Sequence, residues 1–280
     1  KNNHLPKNFA IVGFARSEWS DVDMQNYMKS VLKEKGFSVD EADDQEKFFN
    51  KVSLVNGDFT TIEAYTSLLA KIESIDNAIG MCGDKIFHLA VPPSLYEIIF
   101  EHLHTSGLSD LCSGVGGWTR ILVEKPFGDN WDSAQKLDQK LGLLFKEEQI
   151  FRVDHYMSKE VMQNILAFRF ANSLFEHMWD TRFIEAVNIR LWEKIGVNGR
   201  GAFYDKNGAL RDVGQNHVLQ MLSFIAMEDP GMMEPKKIRA ARTKVLDALR
   251  IISPDDMIRR VRRGQYYGYL DEKDVPQDSK

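Results

Sequence analysis

Only two cysteines, Cys82 and Cys112, occur in the 280 residues, too few for a disulfide framework or a four-thiolate zinc site. That scarcity predicts a reducing, cytoplasmic setting. Long apolar runs are missing as well. Stretches such as Phe9 to Val12 fall far short of the ~20 residues that cross a bilayer, and no signal peptide is visible. The sequence therefore predicts no membrane partner. An excess of basic residues is also lacking: the formal charge is -5, which gives no basis for nucleic acid as the main partner. There is no internal repeat and no low-complexity tract. The first residue is Lys1 and not Met, which places the natural start upstream or implies processing.

What is present belongs to a globular protein. With 43% hydrophobic and 28% charged residues the chain can bury a sizeable core. Short apolar runs at Phe9 to Val12, Ile86 to Val91, Ile121 to Val123 and Ile150 to Val153 read as buried strands. Between them lie amphipathic segments. Ser20 and Asp21 can cap a helix with Met24, Tyr27, Met28, Val31 and Leu32 on one stripe, closed by Gly36. Pro92, Pro93 and Ser94 open a second helix bearing Leu95, Ile98, Ile99 and Leu103, ended by Gly107. A third carries Ala134, Leu137, Leu141 and Leu144. Strands alternating with such helices predict a parallel α/β sheet covered on both faces.

The pattern changes after about Asp154. Val187, Ile189 and Leu191 alternate with Asn188, Arg190 and Trp192, the period-two mark of a strand with one buried face. The expected fold is therefore an incomplete Rossmann-like parallel sheet over residues 1–153, followed by part of an α+β domain with a mostly antiparallel sheet over 154–280. Residues Ser38 to Asp58 are polar enough to predict surface loops, and Asp271 to Lys280 a loop or frayed end. The run Arg259, Arg260, Arg262, Arg263 reads as a solvated face before an anion site.

The chemistry sits at strand ends. Gly-x-Gly-x-x-Gly, the usual phosphate turn of a dinucleotide fold, is absent. The nearest approach, Gly114-Val115-Gly116-Gly117, precedes a late strand and reads as a flexible loop. The missing piece should precede Lys1, which makes Phe9 to Val12 the second strand. Arg16 and Ser17 then lie where an arginine would hold the 2′-phosphate of NADP, while Glu18 keeps an NAD reading open. Lys125, in Glu124-Lys125-Pro126, follows a strand at the carboxyl edge and can donate to a hydroxyl or phosphate. Pro126 raises the chance of a cis bond, with trans the default. The densest ionisable cluster is Arg152 to Glu160. His217 starts a helix as either a core histidine or, beside a carboxylate that fixes its tautomer, a general base.

Four motifs occur in order: Glu-Lys-Pro-Phe-Gly at 124–128, Asp-His-Tyr-x-x-Lys-Glu at 154–160, Gly-Arg-Gly at 199–201 and Arg-Asp-Val-x-Gln-Asn-His at 211–217. Together they closely resemble the glucose-6-phosphate dehydrogenases, from Phe9 to about Gln265. The resemblance implies NADP-dependent oxidation of glucose 6-phosphate at C1 to 6-phosphogluconolactone, the first step of the pentose phosphate pathway. It implies His217 as base and Asp154 as its orienting carboxylate. His155, Tyr156 and Lys159 would hold the sugar phosphate, and Glu193 and Asp212 would accept from sugar hydroxyls. Lys125 would touch substrate and coenzyme, with Arg16, Ser17 and Tyr96 lining the coenzyme site. It implies no metal, and a homo-oligomer for the full-length form.

Three departures qualify the match. Met157-Ser158 stands where Leu-Gly is usual, and the glycine-rich loop and the C-terminal part of the second domain are missing, so the chain reads as an internal piece. Losing roughly three hydrogen bonds to the pyrophosphate, at about 1.5–3 kcal/mol each, would weaken coenzyme binding by on the order of 10³–10⁶. The piece alone is therefore expected to be inactive. The rival readings are another NAD(P)-dependent sugar oxidoreductase of the Glu-Lys-Pro type and a non-catalytic interaction subunit.

Overall fold

Five short apolar runs become strands, paired in parallel. The computed structural model describes residues 5–37, 43–110, 112, 117–128 and 130–279. Two compact units make up the chain, Lys1–Val153 and Asp154–Lys280.

In the first unit β1 (Ile11–Ala15) leads into α1 (Asp21–Glu34). The Ser20 hydroxyl accepts from the Asp23 amide at 3.2 Å, while the Asp23 carboxylate accepts from the Ser20 amide at 2.8 Å. This reciprocal cap satisfies two of the donors a helix start leaves open. α2 (Asp43–Phe49) and β2 (Val52–Asn56) follow. Segment 38–58 is thus not the surface loop its polar composition predicts; of it, residues 38–42 lie outside the described residues. β2 pairs in parallel with β1, Ile11 opposite Val52. Its Val52 and Val55 are buried, which the polar average over the window conceals.

α3 (Ile62–Ile79) buries Ala64, Tyr65, Leu68 and Ile72 and ends at Gly80 in the left-handed region. The remaining order is β3 (Lys85–Leu89), α4 (Tyr96–Thr105), β4 (Thr119–Val123), α5 (Trp131–Leu144) and β5 (Ile150–Arg152). β3, β4 and β5 form a second parallel ladder in that order. β1 starts two residues later than Phe9, and β3 stops two short of Val91. Tyr65, Tyr96, Phe100, Ile121, Val123 and Leu141 form the middle of one core, each 1% exposed or less.

The sheet is interrupted. Among the described residues β1 pairs only with β2 and β3 only with β4. Val12 and Phe14 of β1 and Ile86, Phe87 and Leu89 of β3 line one cavity of about 490 Å³. Near the amino ends of β3 and β4 the two cysteines are joined in a disulfide, with Cα atoms 5.7 Å apart. Two residues cannot make a framework, yet they suffice for one bridge, which the reducing setting expected from their scarcity did not foresee. The Gly-rich stretch at 113–116 lies outside the described residues.

The second unit is helical among its described residues. It comprises α6 (Glu160–Phe170), α7 (Ser173–Glu176), α8 (Gly201–Ala209), a π-helix (Leu210–Val218), α9 (Leu219–Ala226), α10 (Pro235–Asp247) and α11 (Pro254–Arg260). Met162, Phe224 and Met227 centre its core. The expected strand at Val187–Leu191 has no ladder partner among the described residues, and Val187 is 44% exposed. Alternation supplies a face to bury but not the neighbouring strand that a ladder requires. The C-terminal stretch is pinned where fraying was expected. Tyr269 and Val275 are buried, and Asp205 accepts from Tyr269 at 3.2 Å and from Ser279. The arginine run lies exposed, Arg260 pairing with Asp256 at 3.2 Å.

Phe100 is fully buried and meets Phe145 edge-on at 5.9 Å. Phe100→Ala is expected to lower the unfolding free energy by about 3–5 kcal/mol in a urea titration. Reducing the Cys82–Cys112 bridge is expected to lower the melting temperature, by the equivalent of at most about 3–4 kcal/mol for a loop of 30 residues. Equal melting curves with and without dithiothreitol would show that the bridge contributes nothing.

Candidate active site

On the first unit the polar groups gather at the carboxyl ends of the strands. Arg16 follows β1 directly, exposed, its guanidinium 5.8 Å over the Phe59 ring. Asp58 nearby is held below its ordinary carboxylate value, chiefly by bonds from the Thr60 amide and hydroxyl, with Arg16 adding attraction. Ser17 is half-buried beside it. At the end of β4, Glu124 pairs with His88 of β3 at 3.0 Å. Lys125 is half-buried, and the Lys125–Pro126 peptide is cis, against the trans default. Gly128 then turns with φ +82, and a Cβ there would lie 2.5 Å from the Ala134 amide. Only glycine lets this loop close onto α5.

Tyr96 does not line the edge as expected. Its ring is 1% exposed in the core, and its hydroxyl donates to the Glu124 carbonyl at 2.9 Å. Burial above all, then the Glu124 charge, raises its pKa and keeps it a donor. It fixes the strand end from behind.

On the second unit the centre is one bond. Asp154 Oδ1 lies 2.6 Å from His217 Nδ1 and also accepts from the Tyr156 amide at 3.0 Å. His217 is 2% exposed. The Tyr156 ring stacks on the imidazole at 4.0 Å and 19°, and Lys159 Nζ sits 3.4 Å from the centroid of the Tyr156 ring. His155, exposed, meets His217 edge-on at 4.7 Å. Asp154 Oδ2 is buried and has no hydrogen-bond partner among the described residues.

The backbone that aims His217 is wound unusually. Leu210–Val218 is a π-helix, a rare form that is frequent at functional sites. Its i→i+5 pitch brings residues five apart, such as Asp212 and His217, toward one face. Asn216 holds this winding: its amide donates to the Arg211 and Asp212 carbonyls at 3.3 and 3.1 Å, and its oxygen accepts from the His217 amide at 2.6 Å. Gly208 breaks the preceding helix at φ 65.

Asp212 is largely buried, 3.6 Å from Arg200. Glu193 is exposed. Both lie within electrostatic reach of Tyr204, whose hydroxyl is raised in pKa mainly by burial and then by these two carboxylates. The structure thus brings Asp154, His155, Tyr156, Lys159 and His217 into one contact network, with Asp212 and Glu193 linked through Tyr204. Arg16, Ser17 and Lys125 belong to the first unit. The sequence reading did not single out Asn216 as a winding residue, although it stands in the Gln-Asn-His motif and was legible there.

A parallel α/β unit with cationic strand ends, in a chain that also holds a carboxylate-fixed histidine, has the features of the dinucleotide-dependent oxidoreductases. The comparisons are more specific. Residues 1–164 match the family model described as "Glucose-6-phosphate dehydrogenase, NAD binding domain", and residues 166–280 match "Glucose-6-phosphate dehydrogenase, C-terminal domain". The chain belongs to the glucose-6-phosphate dehydrogenase family. It is 37% identical to glucose-6-phosphate 1-dehydrogenase 2 of Mycobacterium tuberculosis, covering 98% of this chain and 55% of that protein. It is 38% identical to glucose-6-phosphate 1-dehydrogenase 6, cytoplasmic, of Arabidopsis thaliana, covering 98% and 52%. Among solved structures, the enzyme from Mycobacterium avium superposes with a TM-score of 0.84 at 32% identity, over 97% of this chain and 56% of that one. A glucose-6-phosphate dehydrogenase in complex with its substrate glucose-6-phosphate gives a TM-score of 0.81 at 34% identity, over 96% and 56%. The chain spans about half the length of these relatives.

Asn216→Ala removes three hydrogen bonds from the π-helix. It is expected to lower stability by about 1–3 kcal/mol and to speed amide exchange at 211–217. Unchanged exchange there would show that the winding does not depend on Asn216.

Proposed function

We propose that the full-length protein oxidises glucose 6-phosphate at C1 to 6-phosphogluconolactone with NADP as coenzyme, the first step of the pentose phosphate pathway. The observation that carries this reading is the 2.6 Å contact between Asp154 and His217. Asp154 accepts from Nδ1–H and fixes the tautomer, so Nε2 takes the C1 hydroxyl proton. The carboxylate then stabilises the imidazolium that forms. Lys159 places a cationic donor for the 6-phosphate, and His155 and Tyr156 add a ring nitrogen and a hydroxyl. Asp212 and Glu193 accept from sugar hydroxyls, which a buried polar site uses to reject analogues lacking them.

When bound, the nicotinamide coenzyme supplies the hydride acceptor. The donor set of the first unit suits it: Arg16 for a 2′-phosphate, Ser17 for the adjoining ribose, and Lys125 for anionic oxygens at the strand edge. Tyr96 acts through Glu124, holding the end of β4 in place. Arg16 at that position favours NADP over NAD. Residues 1–153 thus form the coenzyme-binding domain and 154–280 part of the substrate domain. The setting we infer is cytoplasmic, where the Cys82–Cys112 pair would be held reduced. It draws support from cytoplasmic relatives and from the lack of any helix long and apolar enough to cross a membrane among the described residues. We further infer that the full-length form is a homo-oligomer.

The test is glucose 6-phosphate-dependent NADP reduction by the full-length protein, read from the absorbance of the reduced nicotinamide. Oxidation of unphosphorylated glucose at equal efficiency would refute the assigned substrate. His217→Asn is expected to lower kcat by about 10²–10⁴ with KM nearly unchanged. A near-normal kcat would remove His217 from the role of base.

A further inference from the structure

We propose that Asp76, Cys82 and Cys112 form, once the cysteine bridge is reduced, a binding site for one thiophilic divalent cation, Zn²⁺ in the cell. The site lies wholly in the first unit, near the amino ends of β3 and β4. It is thus at the sheet edge opposite Arg16 and Lys125 and takes no part in the proposed oxidation.

Three segments converge there. Asp76 stands in the last turn of α3, Cys82 in the connection to β3, and Cys112 ahead of β4. One carboxylate oxygen and the two sulfurs all lie within 4.8 Å of one another. Asp76 Oδ2 is 3.6 Å from Cys82 Sγ, and the cysteine Cα atoms are 5.7 Å apart. Around a tetrahedral Zn²⁺ with Zn–S bonds of about 2.3 Å, two sulfurs sit roughly 3.8 Å apart, so a small opening of the cysteine side chains admits the ion. Cys112 is buried and holds φ 67, a left-handed conformation uncommon outside glycine that persists only where the surroundings impose it. Gly117 makes room for it: a Cβ there would lie 2.7 Å from Cys112 Cβ and 3.2 Å from its Sγ.

The charge count favours an ion of this type. Lys85 Nζ donates to both Asp76 oxygens, at 2.8 and 2.7 Å, and both side chains are largely buried. Reduction leaves two neutral thiols beside this neutral pair. A divalent cation that displaces both thiol protons keeps the total at zero, because two thiolates, one carboxylate, one ammonium and the metal cancel. The desolvation cost of an uncompensated buried charge is thereby avoided. An ionised carboxylate has lone pairs enough to retain Lys85 and also ligate a metal. The Gly83 amide donates to Asp76 Oδ1 at 3.3 Å, which leaves Oδ2 as the oxygen beside the sulfur. Two cysteines are too few for a four-thiolate site, yet zinc also accepts three protein ligands with water as the fourth. In the reducing setting inferred above, the ion takes over from the bridge in tying the approach to β4 to α3 and β3.

Reduction by a phosphine consumes one water: phosphorus takes the oxygen, and its electron pair with the two protons turns the disulfide into two thiols. Metal binding then breaks both S–H bonds, forms two S–metal bonds and releases two protons. The test titrates full-length protein, reduced with tris(2-carboxyethyl)phosphine and freed of metal, with Cd²⁺ and reads the ultraviolet thiolate-to-metal charge-transfer band. Reduced wild type is expected to bind one equivalent that is lost in Cys82→Ser, in Cys112→Ser and in the oxidised wild type. Asp76→Asn should keep the band and weaken binding by at least about tenfold. Zn²⁺ a hundredfold above its Kd should raise the melting temperature of the reduced protein by roughly 5 °C and leave the oxidised protein unchanged. The oxidised wild type carries no substitution, so it decides the matter where a variant fails to fold. No band in the reduced wild type, an equal band in Cys112→Ser or in the oxidised protein, or unchanged affinity in Asp76→Asn would each overturn the proposal.

Discussion

The short bond between Asp154 and His217 is the constraint that the second unit is arranged to meet. A carboxylate and an imidazole far apart in sequence can hold one geometry only if both backbones are fixed. The turn after Asp154 is fixed by the carboxylate itself, which accepts from the Tyr156 amide. The histidine is fixed by the π-helix and by Asn216, which spans its carbonyls. Aromatic stacking between Tyr156 and His217 then leaves the imidazole little freedom to tilt. Each of these contacts serves the same end, a ring whose two nitrogens have different roles.

The first unit solves a different problem, that of presenting polar groups at the ends of buried strands. Parallel strands bring all their carboxyl ends to one edge, so Arg16, Glu124 and Lys125 arrive there by topology. Local devices set their final placement. Tyr96 reaches from the core to the Glu124 carbonyl, and Gly128 permits the close turn onto α5. A tyrosine placed to line a ligand and a tyrosine placed to brace a strand look the same in sequence, and the structure makes Tyr96 the second.

Much of this was legible in the amino-acid order. The capped start of α1, the strands β3 to β5, the helices between them and the Asp154 and His217 motifs all have short-range signatures, because capping, periodicity and motif spacing are local. What escaped is long-range. β2 is a few residues inside a polar stretch, recognisable only when β1 lies beside it. α3 shows a buried stripe and a glycine stop that went unremarked. The alternation at Val187–Leu191 fits a strand, yet pairing is a property of two segments. The cysteine bridge depends on a contact between segments that no short window of sequence contains.

The break in the sheet also bears on the first unit as a whole. Four rims replace the two of a continuous sheet, and the inner pair, on β1 and β3, borders the same apolar void. Among the described residues no strand-to-strand ladder runs from the half that bears Arg16 to the half that bears Glu124. Side-chain packing and contacts such as that of the His102 ring, 3.1 Å from the Thr60 carbonyl, couple them instead. The relative aim of the strand ends therefore rests on side chains that meet across the gap and not on a shared backbone frame.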